Sequence, residues 1–275
     1  MVYCFSFSMG LANDYPEKKY QERTYSAAKV LGREDRKYGD QSGNRVLCRF
    51  YNHGAIGDQS SSFSGVYPLG SGHAYIYEFS PVVAASVIDT NGNRKHIISD
   101  GTIGLVDNSP EGTPWSFEPL AGFANPNQEY LAMSDNPGSW PSSWPNRDED
   151  WWGEWNGQYG KYVRADQESY FVMDDFYNSE FEFWPDENDV PETTTADPDD
   201  HRRGLGVNLE VRGYQWNHPA AEDIIIVTYW ITNVGTSVLD SVVFGMYGDA
   251  DVGGPSSFSD DDAWFDTEND MVYQW

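Results

Sequence analysis

Six aspartates fall within the eighteen residues from Asp249 to Asp266: Asp249, Asp251, Asp260, Asp261, Asp262 and Asp266. Calcium takes six to eight oxygens from carboxylates, carbonyls and water, often on a loop that turns sharply at a glycine. With Asp249 as the first position, acids stand at the first, third and twelfth and Gly254 at the sixth. The fifth position, Gly253, has no side-chain ligand, the twelfth is Asp rather than Glu, and a strand precedes the loop. This is not an EF-hand. A calcium (Ca2+) loop of another geometry fits, because a bound cation removes the repulsion among crowded carboxylates. The competing reading is a solvated acidic turn.

Asp166, Glu168, Asp174 and Asp175 form a second acidic set. Its functional reading is a further cation site, or a carboxylate pair for glycosidic cleavage, where carboxyl separation and one raised pKa decide the chemistry. In so acidic a chain such a set also arises as plain surface charge. Trp140, Trp144, Trp151, Trp152 and Trp155 lie among Pro, Asn, Asp and Gly. Exposed and coplanar, Trp140, Trp144, Trp151 and Trp152 would stack on sugar rings; buried, they would staple a long irregular segment to the sheets. The histidines (His53, His73, His96, His201 and His218) form no HExxH or other paired ligand spacing. No GxSxG elbow, P-loop or GxGxxG is present, and Gly70-Ser71-Gly72-His73 reads as a turn. Arg202-Arg203 reads as an ion-pairing anchor.

These groups need a scaffold, and the scaffold reads as β. Strand patterns run over 45–51, 73–79, 81–89, 94–98, 205–214, 223–233, 241–247 and 271–275, rich in β-branched and aromatic residues. Asn91-Gly92 signals a hairpin. The run 223–233 is apolar on both faces and reads as the central strand of a packed sandwich. One helix is expected over 14–31, with Asp14 as cap, Pro16 in its first turn and Gly32 as stop. Residues 107–204 carry little periodicity, and so long a stretch in a compact fold implies short hairpins anchored by buried aromatics. Within it, 186–200 is expected to be an exposed acidic loop. The regions expected are 1–40 with the helix, 41–110 as a first β region, 111–204 as the aromatic and acidic region, and 205–275 as a β-sandwich region. The fold class is all-β: an Ig-like or larger antiparallel β-sandwich with long irregular insertions and one short N-terminal helix.

Charge narrows the partners. The 275 residues carry 17 Lys and Arg against 44 Asp and Glu, a formal net charge of −27. Residues 1–50 hold nine basic and six acidic groups, so the acid lies almost wholly beyond them. Nucleic acid and anionic membrane faces would be repelled at long range. Aromatic content of 16% is far from that of a disordered acidic chain, so the chain folds. No apolar run is long enough to span a bilayer as a helix. Cys4 and Cys48, the only cysteines, either pair or remain two thiols. Residues 1–12 have the apolar, small-residue character of the end of an export signal, without its basic start. The closing MVYQW reads as a strand without a cap, and the expectation is that the natural protein continues beyond it.

Several phrases resemble a known family: FYNHGAIG at 50–57, GTPWSFEPLAGF at 112–123, MSDNPGSWPSSWPNRD at 133–148, WNGQYGKYVRADQESYFVMDD at 155–175, RGLGVNLEVRGYQWNHPAAEDIIIVTYWITNVG at 203–235, and FGMYGDADVGG with DDDAWFDTENDMVYQW. Together they are similar to large secreted bacterial β-sandwich proteins, many with a C-terminal sorting domain for type IX secretion. The resemblance implies export to the cell surface or exterior, β architecture and a further C-terminal part, and no particular chemistry. The expectation is a non-catalytic secreted or cell-surface structural or adhesive protein stabilised by calcium, whose partners are extracellular polysaccharide or other surface proteins. The alternatives are a carbohydrate-binding module using exposed Trp and a fragment of a polysaccharide-degrading enzyme.

Overall fold

A computed structural model of the chain describes residues 35–58, 63–102, 108–110, 112, 115–191, 201–252, 259, 261–269 and 271–275. The helix expected over 14–31, Cys4, Asp260 and the loop glycines Gly253 and Gly254 lie outside them, as do residues 192–200 of the acidic loop. The described chain is all-β with antiparallel sheets. Its strands are β1 (Tyr38–Gln41), β2 (Cys48–Tyr51), β3 (Ile76–Ile88), β4 (Arg94–Asp100), β5 (Glu118–Pro119), β6 (Ala132–Met133), β7 (Gln167–Asp174), β8 (Val207–Gln215), β9 (Ile226–Asn233), β10 (Asp240–Ala250), β11 (Ala263–Asp266) and β12 (Met271–Gln274). No helix among the described residues is long and apolar enough to cross a membrane.

Two sheets face each other across one core. The first has the order β10-β3-β4; the second runs β5-β7-β8-β9, with β6 also on β7. Val83, Ala85 and Val87 of β3 and Ile97 of β4 pack with Phe171 and Met173 of β7 and Val207, Leu209 and Val211 of β8. Cys48 and Phe50 of β2 join them. Burial pushes the Cys48 thiol up to about 12. The expected regions interleave: β10 completes the sheet begun by β3 and β4, and β7, from the irregular stretch, pairs along the whole of β8.

The two runs 73–79 and 81–89 are in fact one strand, β3, continuous through Pro81. The Pro81 carbonyl accepts from Gly101, just past the last β3–β4 pair, Val82 with Asp100. The ring nitrogen therefore faces the end of the β4 ladder, where the Gly101 carbonyl takes the Ser80 hydroxyl at 3.2 Å in place of a backbone N–H. The hairpin at Asn91-Gly92 forms as expected, with Gly92 at φ +81° and the Asp89 carboxylate accepting from Asn91 and Asn93.

The central strand is not the one expected. β9 is an edge strand with Ile226, Thr228 and Trp230 exposed, whereas every residue of β7 and β8 is buried. A second aromatic core accounts for this. Leu120, Phe123, Trp144 and Trp155 pack with Tyr170 and Val172 on the outer face of β7. The irregular stretch thus covers that sheet from outside and ends before reaching β9.

Candidate functional site

The acidic loop begins where β10 leaves its sheet. Asp249 stands directly across from Glu78 of β3, and a register shift follows at once between Asp249 and Ala250. Such a bulge re-aims the following side chains. Ala250 turns into the fold opposite Ile76, and the Asp251 amide donates to the Tyr75 carbonyl at 3.2 Å. Glu78 and Asp251 are both buried. Glu78 Oε1 accepts the Ser80 hydroxyl at 2.5 Å, and Asp249 Oδ2 accepts the Tyr247 hydroxyl at 3.4 Å. Burial first, then the charges of Glu78, Asp249 and Asp251, raise the pKa of the Tyr77 hydroxyl. Tyr247 is raised in the same way, by burial and then Asp249. One pair of phenols thus senses all three carboxylates.

Asp261 closes this end of the fold. Its Oδ1 accepts the Val252 amide at 3.2 Å, and its Oδ2 is enclosed, with no hydrogen-bond partner among the described residues. Of the other expected ligands among the described residues, Asp262 and Asp266 are engaged elsewhere. Asp262 is exposed, bonds the Ala263 amide at 2.8 Å and pairs through its backbone with Trp275. Asp266 lies at the far end of β11, four residues or about 13 Å along an extended strand. There it accepts from the Glu268 and Asn269 amides and the Asn269 side chain, which closes the β11–β12 hairpin. Among the described residues no group of three or more His, Cys, Asp or Glu is arranged to hold a metal.

Glu78 is the member that the acid count along the loop did not reveal. Its signal was present: it is the one charged residue in the apolar run HAYIYEF.

The second acidic set is structural, and the glycosidase reading fails on it. Asp174 is fully buried, with Arg202 Nη1 at 2.7 and 2.9 Å from its two oxygens. Asp175, next along the chain, accepts Ser99 Oγ at 2.8 Å and the amides of Leu205 at 2.7 Å and Val207 at 2.9 Å. Gly204, at φ +64°, is needed there, since a Cβ would lie 2.5 Å from Asp175 Oδ2. Glu168 takes the Trp155 indole and the amides of Arg164 and Ala165, and Asp166 takes the Asn217 amide. Each carboxylate is spent on holding backbone, indole or guanidinium, not aimed across a shared cleft. Arg202 is the anchor expected; Arg203 instead donates to the Phe181 and Phe183 carbonyls.

Asp175 makes stability depend on pH. Burial first, and the Asp174 charge next, push its pKa up to about 7 against its three donors. A pKa raised above the unfolded value of about 3.9 means the native state holds a proton that the unfolded chain has released. The contribution is complete below about pH 4 and is lost as pH rises through about 7. Unfolding midpoints are therefore expected to fall between pH 5 and pH 8, and to fall less in Asp175→Asn, as denaturant titrations at the two pH values would read.

The tryptophans do not form a platform. Trp144 is 2% exposed, meets Trp155 edge-on at 87° and donates its indole N–H to the Glu154 carbonyl at 3.0 Å. Trp140 is tilted 46° to Trp155 and donates to the Met133 carbonyl. Trp151 is half-buried under Arg147 and Lys161, and only Trp152 is well exposed. Buried rings at such angles cannot stack on one sugar chain; they anchor the irregular stretch. The histidines serve local contacts: His96 with Ser86, His201 with Asp189 and His218 with the Ala220 amide. His53 is buried with its ring stacked on Tyr51, and His73 lies in the exposed turn.

Comparison with protein families, with curated proteins and with solved structures finds no match for this chain.

Proposed function

We propose that this chain is a non-catalytic β-protein of the cell surface or exterior, with a structural or adhesive role, in which calcium ties the start of the 249–266 loop to β3. The observation that carries the reading is the cross-strand pair Glu78 and Asp249, two acids face to face with Asp251 beside them. Like charges directly opposite each other destabilise a sheet. No Lys or Arg follows Arg212 in the sequence, so the loop brings no cation of its own. A divalent ion held between the facing carboxylates relieves their repulsion, and an oxygen-only donor set suits calcium. Affinities of calcium modules outside cells, about 10⁻⁴–10⁻³ M, fit a site that works in an environment rich in the ion. Export enters the proposal through the resemblance to secreted proteins.

A thermal melt in chelator, then with millimolar calcium or magnesium, tests the proposal. Calcium at about 10 mM, roughly 10 to 100 times such a Kd, is expected to add about 1.4–2.7 kcal/mol, or roughly 3–10 °C in Tm for a chain of this size. Glu78→Gln and Asp249→Asn should abolish the shift, while Asp266→Asn should keep it. No shift, or an equal one from magnesium or plain salt, would sink the calcium reading.

A further inference from the structure

Aromatic rings gather on a different surface, away from the expected tryptophans. Tyr159 and Tyr162 lie on the turn after Gly157 and are 58% and 51% exposed. The turn closes tightly through the Gly157–Gly160 bridge, and a Cβ on Gly157 would run into the carbonyls of Gly160 and Tyr162. The Arg164 guanidinium lies 4.2 Å over the Tyr159 ring and 5.5 Å from the Tyr162 ring, and donates to the Tyr162 hydroxyl at 3.0 Å. Trp216, just past the end of β8, donates its indole N–H to the Arg164 carbonyl at 3.2 Å and stacks on Tyr214 at 14°. Tyr214 in turn donates to Gln158 on the same turn at 2.8 Å. Hydrogen bonds and ring contacts thus fasten the 157–164 turn to the end of β8 before any ligand arrives.

Charge singles out Arg164. Arg36, Arg45, Arg49, Arg94, Lys95, Lys161, Arg202 and Arg212 each hold a carboxylate within ion-pair distance. Lys37, Arg147 and Arg203 are half-buried or buried and donate to backbone carbonyls, whereas Arg164 is exposed and its guanidinium hydrogen-bonds and stacks on tyrosines. The acid whose charge acts on it, Glu168, is engaged by the Arg164 and Ala165 amides and the Trp155 indole, so among the described residues the exposed guanidinium has no direct ion pair, in a chain of net charge −27.

We propose that the surface formed by Tyr159, Tyr162, Arg164 and Trp216 binds a carboxylate-bearing sugar of an acidic polysaccharide. The ring faces take the C–H face of the pyranose, and the remaining Arg164 N–H donors take the carboxylate in charge-assisted hydrogen bonds. Long-range repulsion between two polyanions slows encounter, but at 0.15 M salt screening acts over about 8 Å, which leaves the local contact. The site is separate from the calcium proposal and does not depend on it.

The test is titration calorimetry of the whole chain, without added calcium, against hexasaccharides of hyaluronan and polygalacturonate and against neutral cellohexaose and laminarihexaose. Binding to at least one uronate hexasaccharide is expected. Arg164→Ala and Trp216→Ala should each weaken it about tenfold or more, the scale of one lost charge-assisted bond. Arg164→Lys should weaken it less, and Trp152→Ala should leave it unchanged. Circular dichroism of each variant guards against misfolding. No binding of either uronate, equal binding of the neutral sugars, or loss with Trp152→Ala but not with Arg164→Ala would overturn the proposal.

Discussion

Trp144→Ala is expected to lower the unfolding free energy by about 3–5 kcal/mol, the range for truncating a fully buried aromatic. The ring sits at the centre of the second core, edge-on to Trp155 and 5.7 Å from Tyr170 of β7. Its removal leaves a cavity between the irregular stretch and the sheet, and strands the Glu154 carbonyl that its N–H now satisfies. Trp144→Phe keeps a ring and loses the hydrogen bond, so a smaller loss follows. Trp152→Ala is the contrast: that ring is 54% exposed, and surface changes stay within about 0.5 kcal/mol. Denaturant titration of the three variants would check the order. A loss of under about 1 kcal/mol for Trp144→Ala would mean the segment is not anchored there.

The second large effect is expected at Arg202. Its guanidinium partners a carboxylate with no solvent exposure, while Arg202 itself stays partly open. Removing one member of a buried ion pair leaves an uncompensated charge, at a cost of about 3–5 kcal/mol. Arg202→Met keeps the length of the side chain and isolates that cost from lost packing over Phe176, whose ring centre lies 5.2 Å from the guanidinium. The double variant Asp174→Asn/Arg202→Met should recover more than half of the loss, because the amide needs no counter-charge. The two unfolding curves, read side by side, decide it. If the double variant is no more stable than the single one, the pair acts through shape rather than charge.

Much of the architecture was legible before any coordinate. β-branched and aromatic runs marked β2, β3, β4, β8, β9, β10 and β12 near their observed places, and Asn91-Gly92 marked a hairpin. The short strands β1, β5, β6 and β11 were not, because two residues carry no period and YGDQ and AWFD contain no β-branched residue. β7 escaped for another reason. Its sequence QESYFVMD opens on three polar residues and closes on an acid, with no alternation to read, yet both faces are buried. Glu168, Tyr170 and Asp174 point into the second core, where indoles, amides and Arg202 satisfy them.

Sequence alone establishes the β class, the acid excess and its confinement beyond the first fifty residues, since these follow from composition and side-chain period. It does not establish which strand lies inside. β9 is the more apolar strand, but the irregular stretch covers β7 and β8 and stops short of it, so burial follows the covering layer rather than hydropathy. Nor does it establish which acids meet. Glu78 and Asp249 are distant in the chain and adjacent only through the β3–β10 register, while Asp262 and Asp266, neighbours in sequence, are carried apart by the extended rise of β11. Tertiary pairing alone made one acid of an apolar strand part of the candidate site, and gave Arg202 and Asp174 to the frame.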